Sequence, residues 1–130
     1  MTSREYINDP ETVAQLTACC DEYERALVTN DTERLGQFFW DSPLAVRFGV
    51  SEELYGAAAI AEFRAQRRPD FSQRKLLRHS LLTFGDDFGI SMLEVRPAEG
   101  RHGRQTQVWV RLPDIGWRIV SAHVSDKLRS

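Results

Sequence analysis

One arginine stands inside a run that otherwise reads as buried strand, Phe38-Phe39-Trp40-Asp41-Ser42-Pro43-Leu44-Ala45-Val46-Arg47-Phe48-Gly49. Leu44, Val46 and Phe48 alternate with Ala45 and Arg47, which puts Arg47 on the second face of a short β segment. A guanidinium keeps its charge, and burying it unpaired costs several kcal/mol. Arg47 therefore predicts an anion within reach, either a carboxylate of this chain or the carboxylate of a ligand. Tyr23 is the second candidate. It falls on the apolar stripe of an amphipathic helix, where a hydroxyl leaving water needs a partner. Two readings are open: a core tyrosine tied to backbone, or a phenol aimed into a pocket to hold or protonate a substrate.

Further polar side chains fall in strands that should be core. Gln105, Gln107, Trp109 and Arg111 share one strand face, and His123 shares a face with Trp117, Ile119 and Ser121. Glu94 alternates in phase with Phe88, Ile90 and Met92, an unusual place for a carboxylate, and His79 sits between Leu77 and Leu81. Polar positions recurring on adjacent strands favour a polar-lined cavity. In the basic stretch Arg64, Arg67, Arg68, Arg74, Lys75 and Arg78, solvated surface paired with acids is the simpler reading; Arg64 is set apart by following Phe63 near the buried side. His79, His102 and His123 lack metal-ligand spacing, Cys19-Cys20 does not resemble a zinc pair, and no nucleophile elbow, phosphate loop or dinucleotide fingerprint occurs. No metal or cofactor is expected.

The elements that must position these residues are legible in outline. Asp9-Pro10-Glu11 is a helix start, and Val13, Leu16, Cys20, Tyr23 and Leu27 follow on one face. Asn30 suits the left-handed turn that ends this helix, and Asp31 caps a second, short one. Glu53 to Gly56 reads as a connector into a third helix, about Ala57 to Arg67, stopped by Pro69. Four strands follow, Gln73 to Phe84, Phe88 to Arg96, Arg104 to Leu112 and Trp117 to Val124, with a polar loop from Pro97 to Gly103. Early helices and a late antiparallel meander predict an α+β domain, with helices covering one face of a curved sheet and a conical pocket at one end.

The chain of 130 residues is expected to be a single domain. With 17 basic and 19 acidic residues and a net charge of −2, it offers no electrostatic case for nucleic acid or an anionic membrane. The start Met1-Thr2-Ser3-Arg4-Glu5 lacks the apolar core of a signal peptide, so the cytoplasm is the expected location.

Specific motifs then point to a family. Tyr23-Glu24-Arg25-Ala26-Leu27, Val46-Arg47-Phe48-Gly49, Leu54-Tyr55-Gly56, Phe63-Arg64, the stretch from Gly103 to Val110 and the stretch from Gly116 to Ser125 together resemble the AtzH-like group of the NTF2-like superfamily. The likeness runs from about Asn8 to Ser125. It implies a cone-shaped α+β barrel, a homodimer through the outer face of the sheet, and a setting beside an amidase in the breakdown of nitrogen-rich compounds. It also implies an activity, the decarboxylating conversion of 1,3-dicarboxyurea to allophanate in cyanuric acid catabolism, with Tyr23 and Arg47 as the residues that matter. An HpxZ-like relative serving oxalurate, or an accessory subunit of the amidase, stands as the alternative. On this reading Arg64, Gln107, Trp109 and His123 line the substrate pocket.

Overall fold

A computed structural model describes residues 5–128; most of the polar amino-terminal run, Met1 to Arg4, lies outside it. Helix α1 spans Pro10–Val28, with Asp9 accepting a hydrogen bond from the Thr12 N–H. Leu16, Tyr23, Ala26 and Leu27 form its buried stripe. Asn30 takes the left-handed conformation (φ 51°), and Asp31 caps α2, Thr32–Gln37, through the Arg34 N–H. Strands β1 (Val46–Phe48) and β2 (Glu53–Tyr55) form a short hairpin before helix α3, Ala57–Gln66. Strands β3 (Lys75–Phe84), β4 (Phe88–Arg96), β5 (Arg101–Leu112) and β6 (Gly116–Leu128) complete one sheet of order β2-β1-β6-β5-β4-β3.

Two features differ from the sequence reading. The segment Glu53–Tyr55 is a strand and not a connector, and β1 enters the sheet parallel to β6. Three-residue strands carry too little alternation to announce themselves. The last strand also runs on to Leu128, because β5 already begins at Arg101 and supplies it with a pairing partner.

The helices cover one face only. That inner face, followed by register across the strands, carries the rows Arg47–Ala122–Gln107–Ser91, Val124–Gln105–Leu93 and Asp126–Gly103–Val95. Its packed centre is Leu16, Leu35, Phe38, Phe39, Ile60, Trp109 and Ile119. Helix α1 rests closely on the sheet at Gly89, where an added Cβ would lie 2.3 Å from Leu16 Cδ2 and 3.2 Å from the Leu82 carbonyl oxygen. Gly89→Ala is therefore expected to cost ~1–3 kcal/mol of stability by overpacking, read as a lower urea midpoint at an unchanged m-value.

Among the described residues no helix covers the outer face, which is also apolar, and Tyr6 packs against Phe84 at its edge. Leu82, Ile90 and Val108 lie in register across it, as do Phe84, Phe88 and Val110. Glu94 and Met92 belong to this outer face, so the carboxylate that looked misplaced in the core stands at the surface, 3.1 Å from His102 Nε2.

Candidate functional site

Between α3, the β1–β2 hairpin and the ends of β4, β5 and β6 lies a cavity of about 340 Å³. Arg47, Glu52, Phe63, Arg64, Arg74 and Gln105 are among its walls. Arg47 reaches it because β1 turns its Ala45–Arg47 face inward and its Leu44, Val46 and Phe48 face outward. Ala45 is fully buried and Arg47 is 5% exposed, whereas Leu44 is 71% exposed. The arginine's face is thus the core face, and the apolar alternate positions belong to the outside.

The anion that meets Arg47 is internal. Its Nη1 donates to Glu52 Oε1 at 2.9 Å, and its guanidinium lies 5.4 Å from the centre of the Phe63 ring. The second Glu52 oxygen accepts from the Ser51 N–H and Oγ, each at 3.2 Å. The carboxylate lies over bare backbone at Gly49, where a Cβ would fall 1.7 Å from Glu52 Oε1. Burial pushes the Glu52 carboxyl up, but the bonds from Arg47 and Ser51 outweigh it and hold it below the usual carboxylate range.

A depressed folded value contributes stability above the unfolded carboxylate range, and that contribution fades as pH falls through the folded value. Glu52→Gln is accordingly expected to lower stability in the neutral region and to flatten the acid limb of a stability–pH profile, the two proteins converging at low pH. Equal acid limbs for the two proteins would remove Glu52 from the account.

Among the described residues of the cavity wall, Arg64 is the buried arginine with no carboxylate in ion-pair contact, Arg67 being exposed. It is 7% exposed, and its Nη2 donates to the Tyr23 hydroxyl oxygen at 2.5 Å. Its Nε is buried with no partner, and among the described residues no acid forms an ion pair with it. Burial lowers its pKa, opposed by Tyr23 and Glu52 and reinforced by the neighbouring Arg47 and Arg74 charges. Arg74, by contrast, is held bidentately by Glu24 at 2.7 and 3.1 Å. Of the two anions the sequence leaves open for Arg47, the structure supplies the carboxylate of this chain, and Arg64 is the buried arginine left without one.

Tyr23 is 3% exposed and stands behind Arg64. Its ring meets Phe38 edge-on at 5.5 Å, and Phe38 meets Trp109 in the same way at 6.1 Å. It lines a second, much smaller cavity of about 30 Å³ with His79, Ser91, Gln105 and Gln107. Gln105 borders both cavities. Because the phenol oxygen accepts from Arg64, its own proton stays free for another acceptor.

The remaining candidates separate. Gln107 is 2% exposed on the wall of the small cavity, and its Oε1 accepts from Trp109 Nε1 at 3.1 Å. Trp109 is wholly buried in the core and lines neither cavity. His123 is exposed on the outer face, packed edge-on against Phe48 at 5.7 Å. Its misplacement has a local cause. The pairing Val108↔Ser121 is followed by Trp109↔Ile119, so Val120 is an extra residue that reverses the alternation. Trp117 and Ile119 point inward before the bulge, and Ala122 and Val124 after it. Glu52 and Asp126 are the site residues that the sequence analysis misses. Among the described residues, no three His, Cys, Asp or Glu side chains converge as a metal ion would need.

A family model described as AtzH-like matches residues 5–128. The chain belongs to the AtzH-like family. A cystatin-like fold protein from Burkholderia xenovorans LB400 is 44% identical, with 95% of this chain and 98% of that one covered at a TM-score of 0.91. A protein of unknown function from Pectobacterium atrosepticum SCRI1043 is 38% identical, with 96% of each chain covered at a TM-score of 0.88. An NTF2-like superfamily protein from Salmonella enterica, at 24% identity and a TM-score of 0.73 over 92% of this chain and 94% of that one, shares the fold. No curated protein matches the chain. The AtzH-like family thus appears here as an NTF2-like α+β fold whose arginine-rich cavity is open at one end of an unclosed sheet. Among the described residues, no helix is long and apolar enough to cross a membrane.

Proposed function

We propose that the protein is a decarboxylating amidohydrolase that converts 1,3-dicarboxyurea to allophanate. The observation that carries this reading is Arg64, a buried cation without a carboxylate, sharing a cavity with Arg47 and bonded to a phenol. Such a group calls for an anion from outside, and a desolvated pair of arginines selects a carboxylate. Membership of the AtzH-like family supports the choice of an N-carboxylated urea.

In the reaction one N–carboxylate bond breaks and its electron pair stays on nitrogen. Carbon dioxide leaves, and the nitrogen takes one proton to give allophanate. The departing carboxylate loses its charge as carbon dioxide forms. A cation on it would stabilise the ground state more than the transition state, so the arginines serve best by holding the carboxylate that stays. Arg64 fixes that group from the α3 side and Arg47 from the sheet, orienting the urea plane. Tyr23, whose proton Arg64 leaves free, supplies the proton to the nitrogen.

The test is carbon dioxide release from freshly generated dicarboxyurea with and without the protein. Arg47→Lys should abolish the enzyme-dependent part while circular dichroism stays native. Release at the spontaneous rate with wild type would leave only a binding or amidase-accessory role.

We also propose that a second copy of the chain covers the outer sheet face. Its in-register apolar rows, with Phe88 38% exposed, and Met92 beside them at 36%, form a patch of the kind that marks an interface. Ile90→Lys is expected to turn a dimer into a monomer by light scattering. A wild type that is already monomeric at the same concentration would refute the assignment.

A further inference from the structure

Dicarboxyurea carries two carboxylates, and the arginine pair holds the one that stays. The one that departs meets a different wall. The Arg47 guanidinium is level with Val124: its Nη1 lies 3.0 Å from the place of a Cβ on Gly49, the residue after Phe48, and Phe48 pairs with His123. The next inner-face row, Asp126–Gly103–Val95, is two residues on, about 7 Å away. Dicarboxyurea has four bonds of about 1.3–1.4 Å between its carboxyl carbons, about 5 Å in all, and its oxygens reach ~1 Å further. With one carboxylate on Arg64 and Arg47, the other therefore falls at the Asp126 row, and the substrate fills the cavity.

No free cation receives it there. Arg67 lies 5.1 Å from the Phe63 ring, which Arg47 also meets, and so belongs to the arginine end. Arg74 is already held by both oxygens of Glu24. Gln105 is neutral, and the Ser125 hydroxyl oxygen accepts from Arg104 at 2.9 Å. The charge on the row itself has the same sign as the substrate. Asp126 lines the cavity, and Arg101 compensates it from one side, donating to Oδ2 at 3.0 and 2.8 Å. Its Oδ1 is buried and, among the described residues, has no hydrogen-bond partner. A carboxylate seated here gives up water, gains no ion pair and faces incompletely compensated negative charge. Those costs weigh on the bound substrate. They fade as carbon dioxide forms, because the charge moves to the nitrogen, away from Asp126 and towards the arginines.

We infer that Asp126 is a catalytic residue that repels the departing carboxylate and so raises the bound substrate towards the transition state. This rests on the proposed decarboxylation and on the arginine pair as the seat of the retained carboxylate. No bond to Asp126 forms or breaks. The nitrogen–carbon bond opens, its electron pair stays on nitrogen, the nitrogen takes one proton, and carbon dioxide leaves uncharged.

Two measurements test it. Glutarate separates its carboxyl carbons by four bonds, as dicarboxyurea does, and butyrate is the same chain without the second carboxylate. In calorimetric titration of the wild-type protein, the second carboxylate should add no affinity. Asp126→Asn should bind glutarate at least ~5-fold more tightly than wild type and butyrate equally. In carbon dioxide release from dicarboxyurea, the same variant should lower KM and kcat together, kcat by at least ~10-fold. A residue that only held Arg101 would not shift both in that direction. Unchanged kcat and KM overturn the inference while the arginine seat stands. A raised KM overturns it too, showing that Asp126 accepts from a urea N–H. If the variant fails to fold, the wild type decides: glutarate binding about tenfold more tightly than butyrate refutes the repulsion. Failure of both acids to bind removes the arginine seat itself, and the proposed reaction with it.

Discussion

Replacing Arg64 by methionine is expected to make the protein more stable and almost unable to bind a carboxylate. Arg64 is buried, its Nε has no partner, and its one side-chain bond goes to a neutral phenol. Methionine fills similar volume without charge, and the change strands the buried Tyr23 hydroxyl, a cost of about 1–3 kcal/mol. Relieving a buried charge that lacks an ion-pair partner exceeds that, so a net gain of ~1 kcal/mol and a rise of a few degrees in Tm should follow. Carboxylate affinity should fall at least ~100-fold, since the group that anchors the ligand is gone. Arg47→Met should behave in the opposite way towards stability, because it strands Glu52, whose carboxylate is bonded to Arg47 at 2.9 Å. Stability measured by urea unfolding and affinity by calorimetry separate the two arginines. A destabilised Arg64→Met that still binds would show that Arg64 is structural.

This contrast between the arginines marks the limit of what could be read from the chain. Arg47 was readable as an inward cation because strand alternation needs only neighbours two residues away. Its partner was not, because Glu52 sits in a hairpin between two three-residue strands, too short to show a period. Helix ends were legible, since Asp9, Pro10, Asn30 and Asp31 act on adjacent backbone groups. Arg64 carried only the weak signal of following Phe63, and its lack of an acid is a property of three-dimensional packing.

Sheet faces were the harder problem. Both faces of β4 are apolar, Leu93 and Val95 within and Ile90 and Met92 without, so alternation alone could not say which was the core. Glu94 was consequently assigned to a buried setting. On β6 the Val120 bulge reverses the phase midway, and it carries His123 out of the site to which a strict alternation assigned it. Gln105 and Gln107 share the inward face of β5 with Trp109, yet only Gln105 borders the Arg47 cavity, Gln107 lining the small one instead.

Tyr23→Phe is expected to lower kcat for carbon dioxide release by ~10²–10⁴-fold with little change in KM. The ring stays, and with it the edge contacts to Phe38 that hold α1 against the core. What is lost is a proton donor and the oxygen that accepts from Arg64. Losing that acceptor leaves a guanidinium whose Nε is already unpartnered, so stability should drop by ~1–3 kcal/mol, more than an isolated hydroxyl deletion would cost. The two roles of the phenol predict different kinetics. A proton donor acts only as the nitrogen gains charge, so its loss falls on kcat. A mere support for Arg64 helps bind the retained carboxylate before and during reaction alike, so its loss would raise KM and spare kcat. A Tyr23→Phe enzyme with raised KM and wild-type kcat would therefore reassign Tyr23 as a positioning residue, and the proton would have to come from a group other than this phenol.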